Sequence, residues 1–233
     1  MDDNILIEVR GLTKKYGRSE VLKSISLNIR KGEVFGLFGP NGAGKSTFIS
    51  LLATLHKPTS GDILINGVSV REKPDKIKGM IGFVPQDIAL YPMLSGLDNL
   101  DFWAGIYGLR GSIKKDRIAE AIEVARLADR IKDRASHYSG GMKRRLNIAV
   151  SLMHHPELLI MDEPTIGVDI QSERCILDVL EKLKKEGRTI VFASHNIDEL
   201  ETICDRIAVM NQGRIIATGT ADNMKSILNT VFL

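Results

Sequence analysis

The chain has 233 residues, 43% of them hydrophobic, which is ordinary for a globular protein with a buried core in one large or two small domains. Its 32 basic and 29 acidic residues leave a net charge of +3 and form no basic block, so nucleic acid is not indicated as a partner. The two cysteines, Cys175 and Cys204, are too few and too isolated for a disulfide framework or a zinc site, which favours a reducing cytoplasm.

The amino terminus does not resemble a secretory signal. Its first residues, Met-Asp-Asp-Asn, are acidic where a signal peptide is basic. No apolar stretch of the sequence has the roughly 20 residues that a helix needs to span a bilayer. We therefore expect any membrane role of this chain to depend on a separate partner.

Short apolar runs divided by turns predict an α/β core with a largely parallel sheet. The first runs are broken by Gly11, by Gly17 and by the turn at residues 31–32. The later runs are almost wholly apolar and alternate with helical patterns, as expected for strands covered on both faces. The predicted strands cover residues 5–10, 21–29, 33–38, 61–66, 81–84, 158–161 and 189–192.

Helical periodicity dominates between Gln86 and Pro156, where the β signals fade. The pattern predicts a helical insert there, a further helix at residues 178–186 and another in the carboxyl-terminal tail. The apolar stripe of the insert consists of Ile118, Ala121, Ile122, Ala125 and Ala128, and that of the tail consists of Met224, Ile227, Leu228, Val231 and Phe232.

Residues 39–47 read Gly-Pro-Asn-Gly-Ala-Gly-Lys-Ser-Thr, which matches every fixed position of the phosphate-binding loop. The segment lies between a predicted strand and a predicted helix at residues 46–55, where glycines let backbone N–H groups point at one anion. Lys45 is expected to reach the terminal phosphates, and the Ser46 hydroxyl can bind Mg²⁺. The sequence therefore predicts a nucleoside triphosphate site formed by Gly39, Pro40, Asn41, Gly42, Ala43, Gly44, Lys45, Ser46 and Thr47.

Two adjacent carboxylates close the strand predicted at residues 158–161, where Asp162 and Glu163 follow four large apolar residues. Acids at the end of a buried strand are costly unless a cation meets them. With a triphosphate loop in the same sheet, Mg²⁺ is the natural cation, bound by Asp162 from one side and by Ser46 from the other. Glu163 could orient or deprotonate the attacking water.

A second candidate anion site lies at residues 138–142, Tyr-Ser-Gly-Gly-Met, directly before a helical pattern that runs through His154. The hydroxyl of Ser139 and the backbone of Gly140 and Gly141 would lie at a helix N-terminus, which favours anions. Taken alone, the segment is an ordinary turn before a helix. Beside a triphosphate loop, it becomes a second phosphate-binding candidate.

The phosphate loop, the Ser-Gly-Gly segment and the acidic strand end, in this order, resemble the motifs of the ATP-binding subunit of an ABC transporter. The likeness covers essentially the whole chain, from about residue 5 to about residue 219. It implies an ATPase that binds ATP and Mg²⁺. The catalytic residues that it implies are Glu163, His195 and Lys45, and the metal ligands are Ser46, Gln86 and Asp162. Beyond the phosphate loop, the implied nucleotide contacts are Tyr16 stacked on adenine, Gln86, the signature residues Ser139, Gly140 and Gly141, and Asp169 in the loop at residues 166–169.

The signature segment departs from the commonest form of the family, because Tyr138 replaces a leucine and Met142 replaces a glutamine. Met142 cannot make the polar contacts of an amide. With the following Lys-Arg-Arg-Leu, and with Glu-Pro-Thr-Ile-Gly-Val-Asp at residues 163–169, the segment is most similar to the subgroup that energises drug, sodium or polysaccharide exporters.

The resemblance also implies the architecture. We expect one ABC ATPase domain over residues 1–233: an α/β P-loop NTPase core with a mixed, mainly parallel sheet, an N-terminal antiparallel β subdomain and a helical insert. The β subdomain and core would take about residues 1–86 and 156–220, the helical subdomain about 87–155, and a C-terminal helix about 221–233.

The partners are likewise implied by the resemblance. We expect a head-to-tail homodimer that shares two ATP sites and drives membrane-spanning permease subunits from the cytoplasmic side of the cell membrane. The groove for the permease would lie near the aromatic residues that follow Gln86, of which one or two would be exposed. These aromatics are Tyr91, Phe102, Trp103 and Tyr107.

Three alternatives to a transporter ATPase have weaker support. A soluble ABC-type ATPase of DNA repair or translation would resemble chains with long coiled-coil insertions or two ATPase halves, and neither occurs here. A GTPase would carry an Asn-Lys-x-Asp motif, and the sequence has no Asn-Lys pair. A non-hydrolysing ATP-dependent regulator is disfavoured by the presence of both Glu163 and His195. The transported substrate cannot be read from this chain.

Overall fold

The computed structural model describes residues 4–224, which form two sheets, seven α-helices and a helical turn at residues 221–224. The strands are β1 (Ile5–Tyr16), β2 (Ser19–Arg30), β3 (Val34–Phe38), β4 (Ser60–Ile65), β5 (Val68–Ser69), β6 (Ile81–Val84), β7 (Leu158–Asp162), β8 (Thr189–Ser194), β9 (Arg206–Asn211) and β10 (Arg214–Thr220). The helices are α1 (Lys45–Leu52), α2 (Pro74–Lys78), α3 (Gly96–Ile106), α4 (Gly111–Ala125), α5 (Gly140–Leu152), α6 (Ile170–Lys185) and α7 (Ile197–Ile203).

The two sheets differ in strand direction. The first sheet is antiparallel, with the order β2-β1-β4-β5. The second has the order β10-β9-β3-β8-β7-β6, and its strands are parallel except for the edge strand β10. The strands β7 and β8 are buried at every position, as the continuous apolar runs in the sequence predict. The α/β fold with a mixed, mainly parallel sheet and an amino-terminal antiparallel sheet is therefore confirmed.

One apolar core joins the two sheets, and a second covers the other face of the parallel sheet. The first contains Phe35 of β3 and Phe48 of α1, both fully buried. The second packs α6 and α7 against the sheet through residues such as Ile176 and Leu200. Because both faces of the parallel sheet are covered, its functional side chains can be reached only where its strands end.

The helices α3, α4 and α5 lie between β6 and β7 in the sequence. They pack together around a third apolar cluster. This agrees with the helical insert predicted between Gln86 and Pro156. Within residues 4–224, the structure contains no helix that is both long enough and apolar enough to cross a membrane.

Several element boundaries differ from the predicted ones. Gly11 does not end β1, because the strand continues to Tyr16 through a register shift between Val9 and Leu12. Gly11 has a φ of 53° there, a backbone geometry that suits glycine in a β-bulge. The helix predicted at residues 178–186 begins much earlier, at Ile170. Residues 225–233, which hold most of the predicted C-terminal helix, lie outside the described residues.

Candidate functional site

The carboxyl ends of four neighbouring parallel strands meet at one edge of the second sheet. The phosphate-loop sequence follows β3, Gln86 follows β6 after one proline, Glu163 follows β7, and His195 follows β8. This edge is where open α/β sheets bind their ligands. The topology thus brings together residues that are up to about 150 positions apart in the sequence.

A cavity of about 330 Å³ opens at this edge. Of the residues that the sequence predicts to bind or hydrolyse a triphosphate, those lining the cavity are Asn41, Gly42, Gly44, Lys45, Ser46, Thr47, Gln86 and Glu163. The backbone N–H groups at the start of α1 lie here, where a helix N-terminus carries positive potential. The cavity therefore offers an anion backbone N–H donors and the positive end of a helix.

Glu163 lies between a lysine and a histidine. Its Oε1 atom is 3.3 Å from Nζ of Lys45, and its Oε2 atom is 3.1 Å from Nδ1 of His195. Lys45 is 4% exposed, and its ammonium also donates to the carbonyl oxygen of Gly39 at 2.7 Å. The backbone of Glu163 has a φ of 48°, a strained value for a residue with a side chain and one that is common at functional sites. The structure thus confines this carboxylate at the edge of the cavity.

Glu199 of α7 connects the two chain segments that carry Glu163 and His195. Its Oε2 atom accepts hydrogen bonds from Oγ of Ser194 and from Oγ1 of Thr165, both at 2.9 Å. Ser194 precedes His195, and Thr165 lies two residues beyond Glu163. One carboxylate therefore ties together the two segments that carry Glu163 and His195.

Asp162 is a buried carboxylate with an unused oxygen. The Ser46 hydroxyl lies near its side chain. Its Oδ1 atom is buried without a hydrogen-bond partner in the described part of the chain. Burial raises the pKa of Asp162 above its ordinary value, while the Ser46 hydroxyl acts to lower it; the neighbouring charge of Glu163 adds to the rise, and Lys45 acts in the opposite direction. A hard cation would satisfy such an oxygen, so Asp162 and Ser46 fit a Mg²⁺ ion.

The Ser-Gly-Gly segment lies outside the cavity. Ser139 caps α5, because its Oγ atom accepts a hydrogen bond from the Met142 backbone N–H at 3.2 Å. Gly141 packs so closely on α6 that a Cβ atom there would lie 1.9 Å from Oγ of Ser172. Asp169 caps α6 by accepting a hydrogen bond from the Ser172 backbone N–H at 2.9 Å. A single chain therefore keeps its two candidate anion sites apart.

The two unusual residues of this segment pack into the helical region. Tyr138 is buried, and its hydroxyl donates to the carbonyl oxygen of Arg130 at 2.8 Å. Met142 is partly buried against the same apolar cluster of α3, α4 and α5. Both departures from the usual motif thus serve the packing of the helices.

Tyr16 lies at the exposed end of β1 and is also separate from the cavity. Tyr16 is 46% exposed, with Nζ of Lys14 at 4.8 Å from its ring centroid and the edge of His56 nearby. An exposed aromatic face can stack on a flat ligand. Tyr16 is partly exposed, with the Lys14 ammonium over one face of its ring.

Comparison with known proteins identifies this arrangement. Residues 22–166 match the family model described as ABC transporter. The chain belongs to the ABC transporter family. It is an ATP-binding cassette of that family and an ATPase.

Three similar proteins show how far the likeness to this ABC cassette extends. It is 47% identical to the linearmycin resistance ATP-binding protein LnrL of Bacillus subtilis, over 95% of this chain and 71% of that protein. It is 37% identical to the doxorubicin resistance ATP-binding protein DrrA of Mycobacterium tuberculosis, over 96% of this chain and 68% of that protein. A solved dimeric ATP-binding cassette in a post-hydrolysis state with ADP and Pi superposes with a TM-score of 0.84 at 28% identity, covering 92% of this chain and 98% of that one.

Two residues that support the site of this ABC cassette, Glu199 and Arg144, are not predicted from the sequence as site residues. Glu199 lies on a short helix that has no distinct sequence signal, and the sequence indicates Arg144 only as part of the subgroup resemblance. Arg144 is 3% exposed and donates to the carbonyl oxygen of Pro85 at 2.6 Å and to that of Gln86. The available signal was a charged residue at an inward position of an amphipathic helix.

Proposed function

We propose that this cassette hydrolyses Mg²⁺-bound ATP as a homodimer and thereby drives export through a separate membrane-spanning permease at the cytoplasmic side of the cell membrane. The observation that carries the proposal is that Glu163, which lines the cavity together with Lys45, contacts Lys45 at 3.3 Å and His195 at 3.1 Å. The names of the relatives LnrL and DrrA, both resistance proteins, support export as the direction.

The phosphate loop binds the triphosphate in this proposal. The loop glycines and the start of α1 supply N–H donors, and Lys45 turns from the carbonyl oxygen of Gly39 towards the terminal phosphates. Tyr16 stacks on the adenine from the exposed end of β1. When Lys45 turns, Oε1 of Glu163 loses its cationic partner and becomes free to accept a proton.

Hydrolysis requires an in-line water, which Glu163 orients and deprotonates. His195 bonds to the other oxygen of this carboxylate and holds it in place, with Glu199 bracing both segments. Asp162, Ser46 and Gln86 are the residues that would hold Mg²⁺. When bound, that ion neutralises charge on the phosphate oxygens.

Two chains complete each site in this proposal. Ser139, Gly140 and Gly141 lie at the start of α5, outside the cavity of their own chain. They suit the terminal phosphate of a nucleotide that is bound to a second copy of the cassette. Asp169 caps the helix against which Gly141 packs, so it fixes the place of the signature segment at that interface.

The permease docks on an exposed aromatic pair at the surface of the helical region. Tyr91 and Phe102 are 45% and 39% exposed and lie in edge contact, with ring centroids 4.7 Å apart. Trp103 and Tyr107 are partly buried in the cluster of α3, α4 and α5, so they belong to the packing of the helices. An exposed aromatic pair beside Met93, which is 69% exposed, is a typical anchor for a partner protein.

We expect Asp162→Asn to lower Mg²⁺-dependent ATP hydrolysis by about 100-fold and yet to raise the thermal stability of the nucleotide-free cassette. The carboxylate that Mg²⁺ needs is disfavoured by its burial, as its raised pKa indicates, and a neutral amide removes that cost. Phosphate release and thermal unfolding at neutral pH measure the two effects. Asp116→Asn, at an exposed position of α4, is the control and should change neither. Parent-level hydrolysis by Asp162→Asn would contradict the metal assignment.

We expect the double substitution Tyr91→Asp and Phe102→Asp to release the chain from membranes of its own cells. Contact with the permease would then bury two unpaired carboxylates in place of two aromatic rings, which is costly. The measurement is the fraction of the chain that sediments with those membranes. Ile216→Asp, at an exposed position of β10, is the control. ATP hydrolysis by the purified double variant should stay within about twofold of the parent, since neither ring lines the cavity. Unchanged sedimentation would refute this docking surface.

A further inference from the structure

A buried arginine joins the signature helix to the segment that carries Gln86. Arg144 lies little more than one turn into α5, which begins directly after Ser139. Its Nη1 atom donates to the carbonyl oxygen of Pro85 at 2.6 Å, and its Nη2 atom donates to the carbonyl oxygen of Gln86. The two arms of one planar guanidinium therefore hold two consecutive peptide groups just beyond β6.

A second side chain of α5 holds the same segment further along. Oδ1 of Asn147, a buried residue, accepts a hydrogen bond from the backbone N–H of Ala89 at 3.2 Å. Asn147 lies one helical turn beyond Arg144, so both side chains project from one face of α5. Between them they bind the segment at residues 85–89 at both of its ends. The segment is thus fastened to α5 rather than only to the sheet.

The charge of Arg144 is not explained by packing. In the described part of the chain no carboxylate lies within salt-bridge distance of its guanidinium, and its Nε atom has no hydrogen-bond partner. Burial lowers the pKa of Arg144 from its ordinary value, while the more distant Asp87 and Asp162 act in the opposite direction. A buried cation without an ion-pair partner is costly, and an apolar side chain would fill the same space. Compared with an apolar side chain, Arg144 contributes the hydrogen bonds to the carbonyl oxygens of Pro85 and Gln86.

We propose that Arg144, assisted by Asn147, is a positioning residue that sets the place of Gln86 in the nucleotide cavity according to the position of the signature segment. The inference rests on the proposed function, in which Ser139 contacts the nucleotide of a second chain and Gln86 contacts the metal. α5 is one rigid element, so a shift of its amino-terminal end carries the carbonyl oxygens of Pro85 and Gln86 with it. Closure of the shared site and placement of Gln86 are then one event.

The test compares Arg144→Met with Arg145→Met. Arg145 is a matched control, because it is the next residue of α5 and its Nη1 atom also binds backbone carbonyl oxygens, those of Ala125 at 3.1 Å and Arg126 at 3.4 Å. Those carbonyl oxygens belong to the helical region, so the control breaks a similar contact that does not reach Gln86. Hydrogen exchange at the backbone amides of residues 86–89, ATP turnover and thermal unfolding are measured for the purified full chain.

We expect faster exchange at residues 86–89 and a fall in kcat of about 10- to 100-fold in Arg144→Met, with KM for ATP within about threefold of the parent. Arg145→Met should show neither effect at a comparable loss of thermal stability. Arg144→Lys should give an intermediate kcat, because one ammonium keeps the charge but cannot bridge two carbonyl oxygens. If Arg144→Met does not fold, the same comparison is made with Arg144→Lys, for which exchange must still increase.

Two results would overturn the inference. One is exchange at residues 86–89 that is the same in Arg144→Met and Arg145→Met. The other is an equal fall of kcat in both variants, which would mean a general loss of helix packing. Failure of the proposed function itself would be seen separately, as the absence of Mg²⁺-dependent ATP hydrolysis by the parent chain.

Discussion

Glu163→Gln should abolish most ATP hydrolysis, with a fall in kcat of about 100- to 10,000-fold, while ATP still binds. Glutamine keeps the size and polarity of the side chain but cannot accept the proton of the attacking water. It also removes a negative charge that lies 3.3 Å from the Lys45 ammonium, so phosphate groups meet less repulsion in the cavity. We therefore expect ATP to bind this variant at least as tightly as it binds the parent.

The measurement is phosphate release under saturating ATP and Mg²⁺, beside a titration with a fluorescent ATP analogue. Glu157→Gln is the matched control, because Glu157 is exposed and directly precedes β7, at the opposite end of the strand that leads to Glu163. The control should hydrolyse ATP at the parent rate. Turnover by Glu163→Gln at the rate of Glu157→Gln would show that another group accepts the proton.

The chemistry at the strand ends could be predicted from the sequence because it depends on residue type at fixed spacing. The phosphate loop needs glycine, lysine and a hydroxyl in one order, and an acid directly after a buried strand is costly unless a cation meets it. The structure places Lys45, Ser46 and Glu163 in one cavity. The roles assigned to these residues remain predictions until they are tested by substitution.

The supporting residues could not be predicted, because their positions follow from tertiary packing. Glu199 reaches Thr165 and Ser194 only because α7 folds back on β8, and no local pattern reports that approach. The strands β9 and β10 are absent from the predicted set. β10 alternates exposed and half-exposed residues at a sheet edge and carries little hydrophobic signal, whereas β9 contains four consecutive buried apolar residues and is absent despite that signal. Gly11 predicts a strand end where the structure has a bulge, because glycine is typical of both.

Ser139→Arg should abolish the ATP-dependent dimer while leaving nucleotide binding to the phosphate loop of the same chain within about twofold. Ser139 lies outside the cavity that contains Lys45, so its bulk cannot reach the nucleotide of its own chain. In the proposed dimer the same side chain faces the terminal phosphate bound to the partner, where an arginine fills the space. The background for the test is Glu163→Gln, in which ATP remains intact.

Sedimentation of this background protein should show a dimer with ATP and a monomer with ADP, which lacks the terminal phosphate. Adding Ser139→Arg should leave a monomer with either nucleotide. Ser139 also caps α5, so Ser139→Ala reports what the lost cap alone does to stability, a change of about 1 kcal/mol. Ser112→Arg, at an exposed position of α4, controls for the added charge. A dimer that persists in Ser139→Arg, or a background protein that stays monomeric at high concentration under saturating ATP, would rule out a site that two free cassettes share.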